Sequence, residues 1–164
     1  MDDTFRIRPA TRADTETVRA IVFGILREYG FTPDPEGTDA DLADLDASYH
    51  RPGGTFEVLT DPSGRVVGTV GLFALGGGRC ELRKMYLLPE HRGRGLGKRL
   101  LRHAVERAHE LGFTRIELET ATVLEVARRM YESFGFRPFT PCQMPCRCDR
   151  AYYLDLGDAT PAGD

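Results

Sequence analysis

A chain of 164 residues, 41% of them apolar and 29% charged, is large enough to bury one substantial core. Its 22 basic and 25 acidic residues leave a net charge of −3, so neither nucleic acid nor an anionic membrane is expected as a partner. No apolar run nears the roughly 18 residues that span a bilayer, and the start MDDTFRIRPA is no secretory leader, which points to a cytoplasmic protein.

In that compartment Cys80, Cys142, Cys146 and Cys148 are expected as reduced thiols. The last three follow C-x3-C-x-C rather than a paired zinc spacing, and no metal is expected. No internal repeat or linker divides the chain. The reading is one domain over 1–164, with its core over about 5–156 and a frayed tail at 157–164.

In chain order, Phe5, Arg6, Ile7 and Arg8 alternate as a short strand that Pro9 ends. Thr11 or Asp14 then caps a helix in which Val18, Ile21, Val22, Ile25, Leu26 and Tyr29 recur at helical spacing, and Gly30 stops it. TPDPEG at 32–37 is a loop. Residues 39–49 read as a second helix, with Leu42, Leu45 and Tyr49 on one side and four aspartates nearby. Those aspartates fit a solvated acidic face first, and second a mobile flap that receives a cationic amine. Strands at 55–60 and 65–74 form an antiparallel hairpin around Asp61-Pro62-Ser63-Gly64, and Gly76-Gly77-Gly78 turns into a third strand at 79–87.

A glycine loop follows. Gly93, Gly95 and Gly97 permit positive φ and close approach of a ligand just where the first N–H groups of a helix lack partners. Such a helix start favours an anion, and Arg92, Arg94, Lys98, Arg99 and Arg102 around it favour a polyphosphate. It is no Walker loop: Arg92 stands where the first glycine belongs, and Arg99 follows Lys98 where Ser or Thr is required. Against a dinucleotide fingerprint, Gly93 and Gly95 fit, but Lys98 holds the last glycine position; Glu117 or Glu119 could mimic that motif's ribose-binding acid.

Leu96, Leu100, Ala104, Ala108 and Leu111 line the inner side of the next helix, which Gly112 ends, and 113–120 is a strand. Strand, loop, helix and strand make a right-handed crossover with the glycine loop at the strand's carboxyl end, where open sheets bind ligands. A helix at 123–134 carries Ala127, Met130, Tyr131 and Phe134 at helical spacing and is capped by Gly135. A loop at 140–145 and a last strand at 149–156 complete the chain.

Arg92-Gly93-Arg94-Gly95-Leu96-Gly97 matches R/Q-x-x-G-x-G/A, with an apolar strand end and Pro89 before it and a leucine-rich helix after it. In that setting it resembles the acetyl-CoA-binding segment of the GCN5-related N-acetyltransferase (GNAT) family, over roughly residues 5–156. The resemblance implies an α/β, single-domain GNAT-like fold: a central mixed, mostly antiparallel sheet flanked by about four helices. It implies an acyltransferase that moves the acetyl group from acetyl-CoA to a primary amine, with no metal. Acetyl-CoA would be held by the backbone of Met85, Tyr86 and Leu87 and by Arg92, Gly93, Arg94, Gly95, Leu96, Gly97 and Lys98.

Transfer of an acyl thioester to an amine passes through a tetrahedral oxyanion, so it needs a donor for that oxygen, a base for the amine and an acid for the thiolate. The resemblance places Tyr131 as the acid that protonates the departing sulfur, although Tyr131 also belongs to the helix's core stripe. Glu119, at the end of the strand facing the cofactor, is the first candidate base and Glu81, one strand over, the second; Glu117 shares the parity of Glu119. One departure is Leu124, at a position where many relatives carry an asparagine that touches the pantetheine arm. A small-molecule amine is the expected acceptor. A protein N-terminus or lysine, or a non-catalytic acyl-CoA-binding or sensor module, is the alternative, and the last strands are a candidate homodimer edge.

Overall fold

The computed structural model describes residues 4–121, 124–141 and 147–157. Among these residues seven strands form one sheet in the order β1-β2-β3-β4-β5-β7-β6: β1 Arg6–Pro9, β2 Thr55–Thr60, β3 Val66–Gly76, β4 Arg79–Leu87, β5 Arg115–Thr120, β6 Arg137–Pro138 and β7 Arg150–Asp155. Every neighbouring pair is antiparallel except β4 and β5, so the sheet is mixed and mostly antiparallel as expected. Three α-helices among the described residues, α1 Thr15–Glu28, α2 Leu96–Glu110 and α3 Glu125–Phe134, flank it. Among the described residues no helix is long and apolar enough to cross a membrane.

The apolar stripes read from the sequence face the two sides of the sheet. Val18, Val22, Ile25 and Leu26 of α1 pack with Phe56 and Val58 of β2 on one side. Leu96, Leu100, Leu101, Ala104 and Ala108 of α2 pack with Leu59, Val70 and Leu72 on the other. Burial of each valine, leucine, isoleucine or phenylalanine among them contributes about 1.5–3 kcal/mol, which outweighs the intrinsic preferences of single residues.

The segment 39–49 differs from the continuous helix expected. A 3-10 turn at Ala40–Leu42 and a π-type turn at Asp46–His50 stand there instead, pinned by Leu42, Leu45 and a fully buried Tyr49. Tyr49 lies edge-on to Phe56 and Phe73, and a Cβ at Gly71 would come 2.7 Å from its ring. Gly71 is what lets that ring sit on the sheet. The acidic face is not solvated throughout either: Asp39 and Asp41 are buried, while Asp44 and Asp46 on the surface pair with Arg51.

Two irregularities shape the centre of the sheet. β4 and β5 are paired only over Arg79, Cys80 and Glu81 against Arg115, Ile116 and Glu117, so the rest of β4 runs on without a neighbour on that side. β4 also bulges: Lys84 and Met85 stand opposite the single residue Val70, and Lys84 adopts φ 54°. A bulge bends its strand and re-aims its side chains, here beside the gap between β4 and β5.

Candidate functional site

The gap opens into a cleft of about 790 Å3, bounded by β4 from Glu81 to Leu87, the glycine loop, the end of β5 and the inner side of α3. One end is built from backbone. Gly93 has φ 76° and Gly95, the residue capping α2, has φ 82°; a Cβ on either would meet nothing within 4 Å, so conformation rather than space calls for glycine there. The unpartnered N–H groups at the start of the 15-residue α2 therefore lie at an open surface.

Arg92 fixes this loop rather than projecting from it. Its Nε donates to the Leu87 carbonyl at 2.9 Å and its two terminal nitrogens donate to Glu28 of α1 at 2.7 and 3.0 Å. Gly93 and Gly97 line the cleft with Met85, Tyr86 and Leu87. Leu96 is buried in the core beneath α2, and Arg94 and Lys98 are exposed at the rim. Across the cleft stand Leu124, the residue capping α3, together with Ala127, Met130 and Tyr131. Burial, and then the neighbouring Tyr86, push the Tyr131 phenol well above its ordinary value, so it keeps its proton at neutral pH. Its ring packs on Phe136 and Tyr152, which is the core role read from the stripe.

The other end is built from charged side chains. Glu119 lines the cleft beside Glu81. Its carboxyl is pushed up to about 7 by burial first, then by the charge of Glu81 and a hydrogen bond with it. Glu81 in turn pairs with Arg83, whose guanidinium lies 3.8 Å from the centre of the Phe73 ring. Glu117 is absent from this group: it is held at 3.0 Å by both Arg79 and Arg115, outside the cleft.

Beyond the two glutamates lies a network that the sequence did not announce. Lys84, turned by the bulge, lies 3.3 Å from both Asp39 and Asp41, and Arg147 donates two 3.0 Å hydrogen bonds to Asp39 and a third, 3.1 Å, to the Thr32 carbonyl. Tyr49 donates to Asp41. Lys84, Arg147 and Thr38 thereby wall one side of the cleft. The aspartates alternating with apolar residues at 39–46 were the only sequence signal for it, and their partners lie 45 and 108 residues away. Cys148 also lines the cleft, its thiol pushed up to about 11 by burial and then by Glu119; Cys142 and Cys146 lie outside the described residues.

Comparison with known proteins gives a consistent picture. The model of the acetyltransferase (GNAT) family matches residues 20–136. The uncharacterized N-acetyltransferase YjgM of Escherichia coli (strain K12) is 40% identical over 135 residues, which cover 79% of this chain and 80% of that protein. A GNAT-family acetyltransferase structure from Staphylococcus aureus Mu50 superposes with a TM-score of 0.86 at 25% identity, over 93% of this chain and 99% of that one. The structure of yncA, a putative acetyltransferase from Salmonella typhimurium with its cofactor acetyl-CoA, superposes with a TM-score of 0.75 at 20% identity, over 94% and 95%.

Proposed function

The chain belongs to the acetyltransferase (GNAT) family and is an acetyl-CoA-dependent N-acetyltransferase, and from that premise we propose that its acceptor is the primary amine of a small molecule, with Glu119 as the base and Tyr131 as the acid. One observation carries the reading: the glycine loop, Tyr131 and Glu119 border the same cleft, although they are far apart in sequence.

The cleft suits the donor. The open glycine positions and the start of α2 would hold its phosphates, with Arg94 and Lys98 exposed beside them, and the apolar wall of Leu124, Ala127 and Met130 would flank its arm. Leu124 in place of an amide makes that wall a packing surface rather than a hydrogen-bonding one. Acetyl-CoA supplies an acyl thioester, activated for attack by nitrogen. Backbone N–H groups of Met85, Tyr86 and Leu87, on the unneighboured stretch of β4, would offer hydrogen bonds to an oxygen that gains charge.

An alkylamine with a pKa near ~10.4 arrives as an ammonium ion and must lose a proton before its nitrogen can attack. Glu119 accepts it, and a carboxyl that titrates near neutrality is a stronger base than an ordinary glutamate. Glu81, tied to Arg83, is the neighbour that raises it and the second candidate for the same role. Tyr131 holds a proton that it hands to the leaving sulfur. The protein acts in this reading as a cytosolic enzyme.

The test is a pair of measurements. Acetyl-CoA is expected to raise the melting temperature, and a panel of primary amines to release free CoA with an N-acetyl product visible by mass. Stabilisation by NADH or NADP and not by acetyl-CoA would overturn the donor; stabilisation by acetyl-CoA without CoA release from any amine would turn the reading into a binding module.

A further inference from the structure

We infer that the acceptor is an amine bearing no carboxylate beside the reacting nitrogen, because each cation lining the cleft is already matched by an acid of the protein itself. This rests on the transferase reading above and narrows its acceptor.

Four cations line the cleft. Arg92 is spent on Glu28, at 2.7 and 3.0 Å. Arg83 is paired with Glu81 and stacked on Phe73. Lys84 stands between Asp39 and Asp41 at 3.3 Å from each, and Arg147 grips Asp39 through both terminal nitrogens at 3.0 Å. The segments outside the described residues contain no lysine or arginine, so they supply no further side-chain cation of that kind. Two aspartates against Lys84 and Arg147, and Glu81 against Arg83, leave these groups neutral in sum. The carboxyl left over is Glu119, which has no ion-pair partner among the described residues.

The consequences for an acceptor are asymmetric. A lone ammonium group brings to Glu119 the one charge this end of the cleft lacks. An α-amino acid brings a carboxylate as well. To pair it, Arg147 or Lys84 would have to loosen its hold on Asp39, whose side chain is wholly buried, and leave that carboxylate with one cation where it now has two. Left unpaired, the carboxylate would face Glu119 and Glu81, and like charges crowded at one site disfavour each other. Arg83 is the least confined of the cations at this end, with 29% of its side chain exposed, and its release from Glu81 is the easiest way to change the preference.

Matched pairs test this on the intact protein: phenethylamine against phenylalanine, tyramine against tyrosine and agmatine against arginine, with tyrosine methyl ester as the uncharged equivalent of tyrosine. Each amine is expected to exceed its amino acid at least tenfold in kcat/KM, and the ester to follow tyramine rather than tyrosine. Titration of the same compounds into protein saturated with CoA reads the preference without turnover. A protein that binds the amines selectively but transfers nothing would sink the transferase reading and keep the preference. An amino acid handled as well as its amine in both measurements, or no binding and no turnover with any compound, overturns the inference. Glu81→Gln, which releases Arg83, is expected to shrink the amine-to-amino-acid ratio at least threefold whatever it does to the absolute rate. An unchanged ratio would mean that the commitment of these cations is not what excludes the carboxylate; should this variant not fold, the wild-type pairs decide the matter alone.

Discussion

Two glutamates of the same sheet are driven in opposite directions. Glu57, in the middle of β2, is 2% exposed, and burial alone would raise its carboxyl. Hydrogen bonds from His103 at 2.7 Å, Thr55 at 2.8 Å and Arg107 at 3.1 Å reverse that and bring it down to about 2. Glu119, in β5, is less buried, yet it is raised to about 7, by burial first and then by the charge of Glu81 and a hydrogen bond with it, because no comparable set of donors offsets them. Burial is common to both sites, and compensation is the difference. A compensated carboxylate locks α2 onto the sheet; an under-compensated one keeps a proton affinity that chemistry can use.

The contrast is tested most severely by the same substitution at both positions. Glu119→Gln is expected to lower kcat/KM by about 10²–10⁴, the range for loss of a general base. In the wild type log kcat/KM should rise with pH and bend near pH 7, where Glu119 loses its proton, and the variant should lack that bend. A loss below tenfold would transfer the role to Glu81. Glu57→Gln is expected to leave turnover almost untouched and to cost about 3 kcal/mol of stability, since it removes the buried carboxylate that accepts from His103, Thr55 and Arg107 and leaves Arg107 only its surface partner Glu110. In a chain of this size that lowers the melting temperature by about 6–12 °C.

The pH dependence of stability sharpens the same point. Glu57 has a lowered folded pKa, so its contribution is fully present above its ordinary value of 4.5 and is lost as the pH falls towards about 2. Denaturant melts of the wild type between pH 5 and pH 2 should show that loss, and Glu57→Gln should be flatter over the same window. Tyr131→Phe comes next in size: turnover is expected to fall about 10–100-fold while the affinity for acetyl-CoA stays within a few-fold. Unchanged turnover would leave Tyr131 as a core residue only. The smallest effect has the opposite sign. Glu119 has a raised folded pKa, so its charged form is a burden that is absent below pH 4.5 and complete above about 7. Glu119→Gln should therefore stabilise the protein by about 1 kcal/mol at pH 8, a figure discounted for partial exposure, and by nothing at pH 4.

Much of the fold is legible in the sequence. The stripes of α1 and α2, the hairpin of β2 and β3, and the strand, loop, helix and strand around Gly93 and Gly95 all rest on local periodicity and glycine chemistry, which act within a few residues. The segment 39–49 misleads for a related reason. Leu42, Leu45 and Tyr49 fit a helical template, but the seat made for Tyr49 by Gly71 and the pull of Lys84 and Arg147 on Asp39 and Asp41 outweigh local helical preference. The two-residue β6 carries no periodic signal at all; it exists because Arg137 and Pro138 meet Tyr153 and Tyr152 of β7.

By itself, then, the sequence determined most of the element order, the glycine loop and the family resemblance, because each is encoded in residues a few positions apart. Only the tertiary structure decided which carboxyl is left without a counter-charge. Glu117 and Glu119 share one face of one strand and look alike in the sequence. The first is neutralised by Arg79 from β4 and Arg115 from its own strand, and the second meets Glu81 across the gap where β4 and β5 part. Charge compensation depends on distances of a few ångströms between distant parts of the chain, and folding alone sets those.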